Sequence, residues 1–119
     1  MKKLFIASAI LLGSLVGFAE AKPVICTMNT EGLKNNYVDE PVTIVDNGSN
    51  WEAYFSDGEH MVTTPKPMLP GKKDTTNLYS RTESELFSKG RGKFKGYYGI
   101  RFFGDDKKVV TIKCPTEVI

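Results

Sequence analysis

Two cysteines constrain this chain more than any other feature. Cys26 and Cys114 are the only ones, and they lie near the two ends of the stretch from Lys22 to Ile119. Two thiols permit a single intramolecular connectivity. Neither belongs to a Cys-x-x-Cys pair, so a disulfide is the better reading than a redox or metal site. A bridge between them brings the first and last parts of the fold together. That closure suits a β-sheet that curls back on itself.

A disulfide needs an oxidising compartment, and residues 1–21 read as the route to one. Lys2 and Lys3 precede the apolar stretch Leu4–Phe18, and Ala19-Glu20-Ala21 then offers the small-x-small pattern that signal peptidase reads. The apolar stretch is shorter than the roughly 20 residues of a membrane span. The expectation is a cleavable signal peptide over 1–21 and a single β domain over 22–119. Its expected location is periplasmic or secreted, with no transmembrane segment in the mature chain.

Throughout 22–119, short runs of Val, Ile, Thr, Tyr and Phe alternate with Gly, Asn, Asp and Pro. The pattern predicts an all-β fold: a small antiparallel β-barrel or sandwich of six to eight strands, one disulfide, and at most one short helix. Val24–Met28 reads as the first strand. Asn47-Gly48 suits both positive-φ positions of a type I′ turn, which sets Ile44 opposite Trp51 and Val42 opposite Ala53. A second turn at Asp57-Gly58 sets Phe55 opposite His60, Ala53 opposite Val62 and Tyr54 opposite Met61. Residues 41–64 then form a meander with Val42, Ile44, Trp51, Ala53, Phe55 and Val62 on its core face.

Pro65, Pro67 and Pro70 bar the next segment from a central strand, because each lacks a ladder donor. Leu78–Thr82 reads as a strand. Thr82–Ser88 reads as another, pairing Glu85 with Lys95 and Leu86 with Phe94. The alternative is a helix of barely two turns, opened by a Thr82/Glu85 capping box. Lys93–Phe103 alternates, with Phe94, Tyr98, Ile100 and Phe102 inward. An odd-length loop at Asp106 places Phe102 opposite Val110, Ile100 opposite Ile112 and Tyr98 opposite Cys114, which turns Cys114 into the core.

Enzyme signatures are absent. His60 is the only histidine, with no nucleophile elbow or partner cysteine. One histidine and two committed cysteines do not make a zinc site, and no glycine loop opens a helix to cradle phosphate. No enzyme, metal or cofactor is expected. Asp105-Asp106 reads as a turn.

Charge is the remaining signal. Residues 22–65 hold Lys22 and Lys34 against seven acidic residues, whereas 66–113 hold twelve basic residues against five acidic. Such a split makes a bipolar surface, or cancels if the two halves interleave. The most distinctive segment is Lys89–Phe103. On a strand, Lys93, Lys95, Tyr97 and Arg101 share one face, with Lys89 and Arg91 at the preceding turn. Cations beside aromatic rings suit an acidic protein groove or an anionic polymer. Nucleic acid is not an expected partner of an exported protein. The competing reading is a solvated face whose lysines discourage edge pairing.

In its signal peptide, length, single bridge and β meander, the chain is similar to small periplasmic inhibitors of lysozyme and to envelope immunity proteins. The similarity is one of class, and no residue role carries over. The expected function is a non-enzymatic binding module of the bacterial cell envelope, of inhibitor or immunity type. It would recognise an acidic protein or polymer through Lys89, Arg91, Lys93, Lys95, Tyr97 and Arg101. The second expectation is a small-ligand carrier with a pocket inside a β-barrel. Trp51, Phe55, Phe94, Tyr98 and Phe102, all expected inward, weigh against it by filling the interior.

Overall fold

The computed structural model describes residues 22–73 and 75–115, and the expected signal peptide lies outside them. The strands are β1 (Val24–Glu31), β2 (Glu40–Asp46), β3 (Trp51–Phe55), β4 (His60–Thr63), β5 (Leu69–Pro70), β6 (Leu78–Arg81), β7 (Glu85–Lys89), β8 (Tyr97–Phe102) and β9 (Asp105–Lys113). A single turn of 3-10 helix covers Gly92–Phe94. No helix among the described residues is long and apolar enough to cross a membrane.

The fold is all-β, as expected, but it is one curled nine-stranded half-barrel rather than a barrel or sandwich of six to eight strands. Strand order is β4-β3-β2-β1-β9-β8-β7-β6-β5, and every pairing is antiparallel. The ninth strand is β5, a two-residue piece of the proline-rich segment. Pro70 is tolerated there because β5 is an edge, where a missing donor breaks no second ladder.

The first and last strands do meet. Thr27 stands opposite Lys113 and Met28 opposite Ile112. One step further along, Cys26 and Cys114 form the disulfide, closing a separation of 88 residues with their Cα atoms 4.4 Å apart. That is the spacing of directly opposed residues in an antiparallel pair. The bridge therefore lies in the middle of the sheet. The opening is elsewhere, between β4 and β5, where the chain crosses from one edge to the other through residues 64–68.

The expected faces hold although the registers move by two residues. Asp46 opposes Trp51, so residues 47–50 form a four-residue turn. The Asp46 carboxylate accepts the Gly48 N–H at 2.8 Å, and Gly48 takes a φ of +88°. Asp46 thus builds a longer turn than Asn47-Gly48 alone would make. A shift of two preserves which side chains point inward: Ile44 faces Ala53, and Val42 faces Phe55. In the next hairpin Ala53 faces Val62 as expected, but a bulge puts His60 opposite Tyr54. In the last hairpin Tyr98 faces Ile112 and Ile100 faces Val110, because the turn is at 103–104 rather than at Asp106. Asp105 and Asp106 begin β9, with Phe102 opposite Asp105.

One expected strand pairing fails, that of residues 85–86 with 94–95: Glu85 faces Phe102, not Lys95. Leu86 faces Arg101, not Phe94, and Phe87 faces Ile100. Residues 90–96 form a connection rather than strand. Gly92 and Gly96 take φ values of +60° and +94°, a left-handed backbone that ends extended pairing. Phe94 consequently stands 43% exposed, while Phe87 is buried in its place. The short helix over 82–88 does not form either. The Thr82 hydroxyl accepts the Glu85 N–H at 3.0 Å, but within the turn that enters β7.

Inside the curl, Trp51 is fully buried. Its ring meets Phe87 and Tyr98 edge-on, with centroids 6.4 and 5.3 Å away. Its indole N–H donates to the Ser88 carbonyl at 3.1 Å. These contacts run from β3 to β7 and β8, strands that are not neighbours in the sheet.

Removal of the bridge tests its share. The Cys26→Ala/Cys114→Ala protein should lose about 2–5 kcal/mol of stability in urea unfolding while keeping its far-UV spectrum. The β1–β9 ladder still joins those strands. An unchanged midpoint would contradict this.

Candidate basic end and outer groove

Strand direction sorts the charges. The turns at one end of the half-barrel, residues 32–39, 56–59, 82–84 and 103–104, and the strand ends beside them carry Glu31, Asp39, Glu40, Asp57, Glu59, Glu83, Glu85, Asp105 and Asp106. Lys34, Arg81, Arg101, Lys107 and Lys108 offset them in part. The connections at the other end, residues 47–50, 64–68, 71–73, 75–77 and 90–96, carry Lys66, Lys72, Lys73, Arg91, Lys93 and Lys95, with Lys113 and Lys22 beside them and the carboxylates of Asp46 and Glu52 against them. The two halves of the sequence occupy opposite halves of the sheet and do not interleave. Most acidic residues of the described chain, from both halves, nevertheless gather at one end, so the molecule's polarity runs along its strands; Asp46 and Glu52 are the exceptions.

The six residues singled out in the sequence have different fates. Lys89 points inward. Its ammonium pairs with Asp46 at 2.7 Å and donates to the Gly48 carbonyl at 2.9 Å, and its side chain is 13% exposed. The other Asp46 oxygen accepts the Tyr98 hydroxyl at 2.8 Å. Burial, then the Asp46 charge and hydrogen bond, hold that phenol far above its ordinary range. Lys89 thus belongs to a polar knot that joins β2 to β7 and β8. Arg91 ties down the neighbouring loop, donating to the carbonyls of Thr75 at 2.6 Å and Thr76 at 3.3 Å.

Lys93 and Lys95 are not on a strand with Tyr97, which corrects the expected common face. They lie on and after the 3-10 turn, for the glycine reasons given above. Tyr97 and Arg101 are on the outward face of β8, both exposed. Lys113, which the sequence reading did not select, stands opposite Tyr97, with its ammonium 5.6 Å from the ring centroid. Lys93 is similarly placed 5.4 Å from the Phe94 ring. The correct register was the missing signal, because it alone pairs Lys113 with Tyr97.

A groove of about 320 Å³ runs along the outer face of β7, β8 and β9. Ser88, Gly99 and Thr111 form one row across it. Phe94 and Tyr97 wall it at the basic end, and Arg101 lies further along. Gly99 keeps the floor low, since a Cβ there would come within 2.8 Å of the Ser88 hydroxyl. Gly90 admits the close approach of the Phe94 backbone, which brings that ring to the groove.

The other polar cluster is on the outer face of β3 and β4. Tyr54 donates to Glu52, and its phenol is pushed up to about 12 by burial and by that carboxylate. His60 lies against the Tyr54 ring and within 2.7 Å of the Thr63 hydroxyl. Neither contact gives a base poised on a nucleophile within a cleft. Among the described residues no cluster of three or more His, Cys, Asp or Glu could hold a metal ion.

The knot at Asp46 predicts unequal effects of removing its partners. Asp46→Ala strands the Lys89 ammonium and should cost about 3 kcal/mol. Lys89→Met leaves Asp46 bonded to Tyr98 and partly solvated, and should cost about 1 kcal/mol. Equal losses in chemical unfolding would contradict the assignment. Among known proteins, no family model, no curated protein and no solved structure matches this chain.

Proposed function

We propose that this protein is a non-enzymatic binding module of the bacterial cell envelope that captures an acidic partner at its basic end. The observation that carries this reading is the excess of cations on the connections at that end, with Lys93 beside Phe94 and Lys113 beside Tyr97, opposite the end where most carboxylates gather. A third cation–ring pair, Arg81 over Phe103 at 4.4 Å, lies at the acidic end. A periplasmic or secreted setting fits the signal-like residues 1–21 and the disulfide. An inhibitor- or immunity-type role is its most concrete form, because a sheet tied by a bridge presents its loops with little ordering left to do on binding. A carrier with an interior pocket fits less well. Trp51, Phe87, Ile44 and Ile112 occupy the interior, each under 2% exposed or close to it.

Single exposed ion pairs contribute only about 0–1 kcal/mol. Affinity therefore rests on several lysines acting together and on rings that desolvate at contact. Lysines at the rim steer association, while the rings set dissociation.

Biolayer interferometry on an immobilised polyglutamate surface, over a salt series, tests this. Lys93→Glu/Lys95→Glu should cut the association rate about tenfold and flatten its salt dependence. Tyr97→Ala should mainly speed dissociation. The same reversal at the acidic end, Lys107→Glu/Lys108→Glu, should change little. Equal effects at both ends would show that only net charge matters and would sink the reading.

A further inference from the structure

We infer that the outer groove is a saccharide subsite that receives a carboxylate-bearing pyranose unit of an acidic polysaccharide. The inference rests on the acidic-partner reading and names the chemistry of that partner. Among the described residues, no carboxylate pairs with Arg101, and no group bonds the Ser88 or Thr111 hydroxyl. A guanidinium without a partner and two open hydroxyls line the same groove as two exposed rings. Each feature matches one part of an acidic sugar. The C–H face of a pyranose stacks on an aromatic ring. Ring hydroxyls exchange hydrogen bonds with Ser88 and Thr111, which can both donate and accept. The carboxylate takes a paired hydrogen bond from the planar fork of Arg101.

The dimensions agree. About 320 Å³ lies at the lower end of the roughly 300–1,000 Å³ range of small-ligand sites, which suits a unit of a chain rather than a large cofactor. The groove is open along the face, so a polymer can continue past it. At one end it reaches the lysine-bearing connection of residues 90–96, where further carboxylates of the same chain would lie. A polyglutamate chain satisfies the lysines and Arg101, and its amides can reach the hydroxyl row, but it offers the rings no flat C–H face to stack on.

The test is a titration of the isotope-labelled protein, followed by amide NMR, with a linear galacturonate hexamer, its uncharged methyl ester and hexaglutamate. The galacturonate hexamer should shift Ser88, Gly99 and Thr111, and the methyl ester should bind about tenfold more weakly. Arg101→Gln, whose side chain holds nothing else in place, should weaken the galacturonate about tenfold with an unchanged unfolding midpoint. Gly99→Ala, which raises the groove floor, should weaken it as well. Hexaglutamate binding the groove as tightly, with the same Arg101 dependence, would overturn the saccharide assignment and leave the acidic-partner reading intact. Galacturonate shifts confined to residues 90–96 would do the same. Failure of both polyanions to bind would overturn both readings.

Discussion

The packing of Trp51 across the interior is the interaction on which this structure depends. A nine-stranded sheet that does not close has two free edges, β4 and β5, and nothing in its backbone ladder joins them. What keeps the curl is side-chain contact between strands that are not neighbours. Trp51 reaches from β3 to Phe87, Tyr98 and the Ser88 carbonyl. Beside it, Asp46 holds Lys89 and Tyr98. At the β4 edge the pairing with β3 is prolonged by one residue: the Thr64 hydroxyl accepts the Trp51 N–H at 2.9 Å, and Asn50 donates to the Thr64 carbonyl at 2.9 Å. Buried polar groups here are satisfied by one another, so the end of the core is sealed without leaving unpaired donors.

That seal decides which cations are drawn inward and which stay exposed. Lys89 is drawn inward because Asp46 ends β2 next to Trp51, and Arg91 is engaged by the carbonyls of residues 75–76. Lys66, Lys72, Lys73, Lys93 and Lys95 on the connections at that end are exposed. Most acidic residues lie on the turns at the far ends of the same strands, which gives the molecule a charge polarity along them. Gly90 and Gly99 extend this arrangement into shape, one letting the Phe94 turn fold back and the other leaving the groove open.

Much of the fold was legible in the sequence because faces depend on parity. Val42, Ile44, Trp51, Ala53, Tyr98, Ile100, Ile112 and Cys114 were all expected inward, and all are buried. Exact registers were not legible, since a shift of two preserves every face: the Asp46 side chain lengthens the first turn, and the last hairpin turns earlier, at 103–104. The site was less legible than the fold. Residues 89–103 alternate in composition like a strand, but Gly92 and Gly96 break the chain there. Lys113 and Tyr97 are far apart in sequence, and their pairing follows only from the β8–β9 register. Phe87 and Phe94 exchanged roles for the same reason.

Hydrogen exchange at the Trp51 indole N–H tests most directly whether contacts across the interior hold the open sheet. Trp51 is the only tryptophan, so its signal stands alone in an amide spectrum. The structure predicts that this proton exchanges only through global unfolding, with an opening free energy equal to that measured in denaturant. Exchange as fast as that of the edge amides of β4 would contradict it, because the two walls would then part without unfolding.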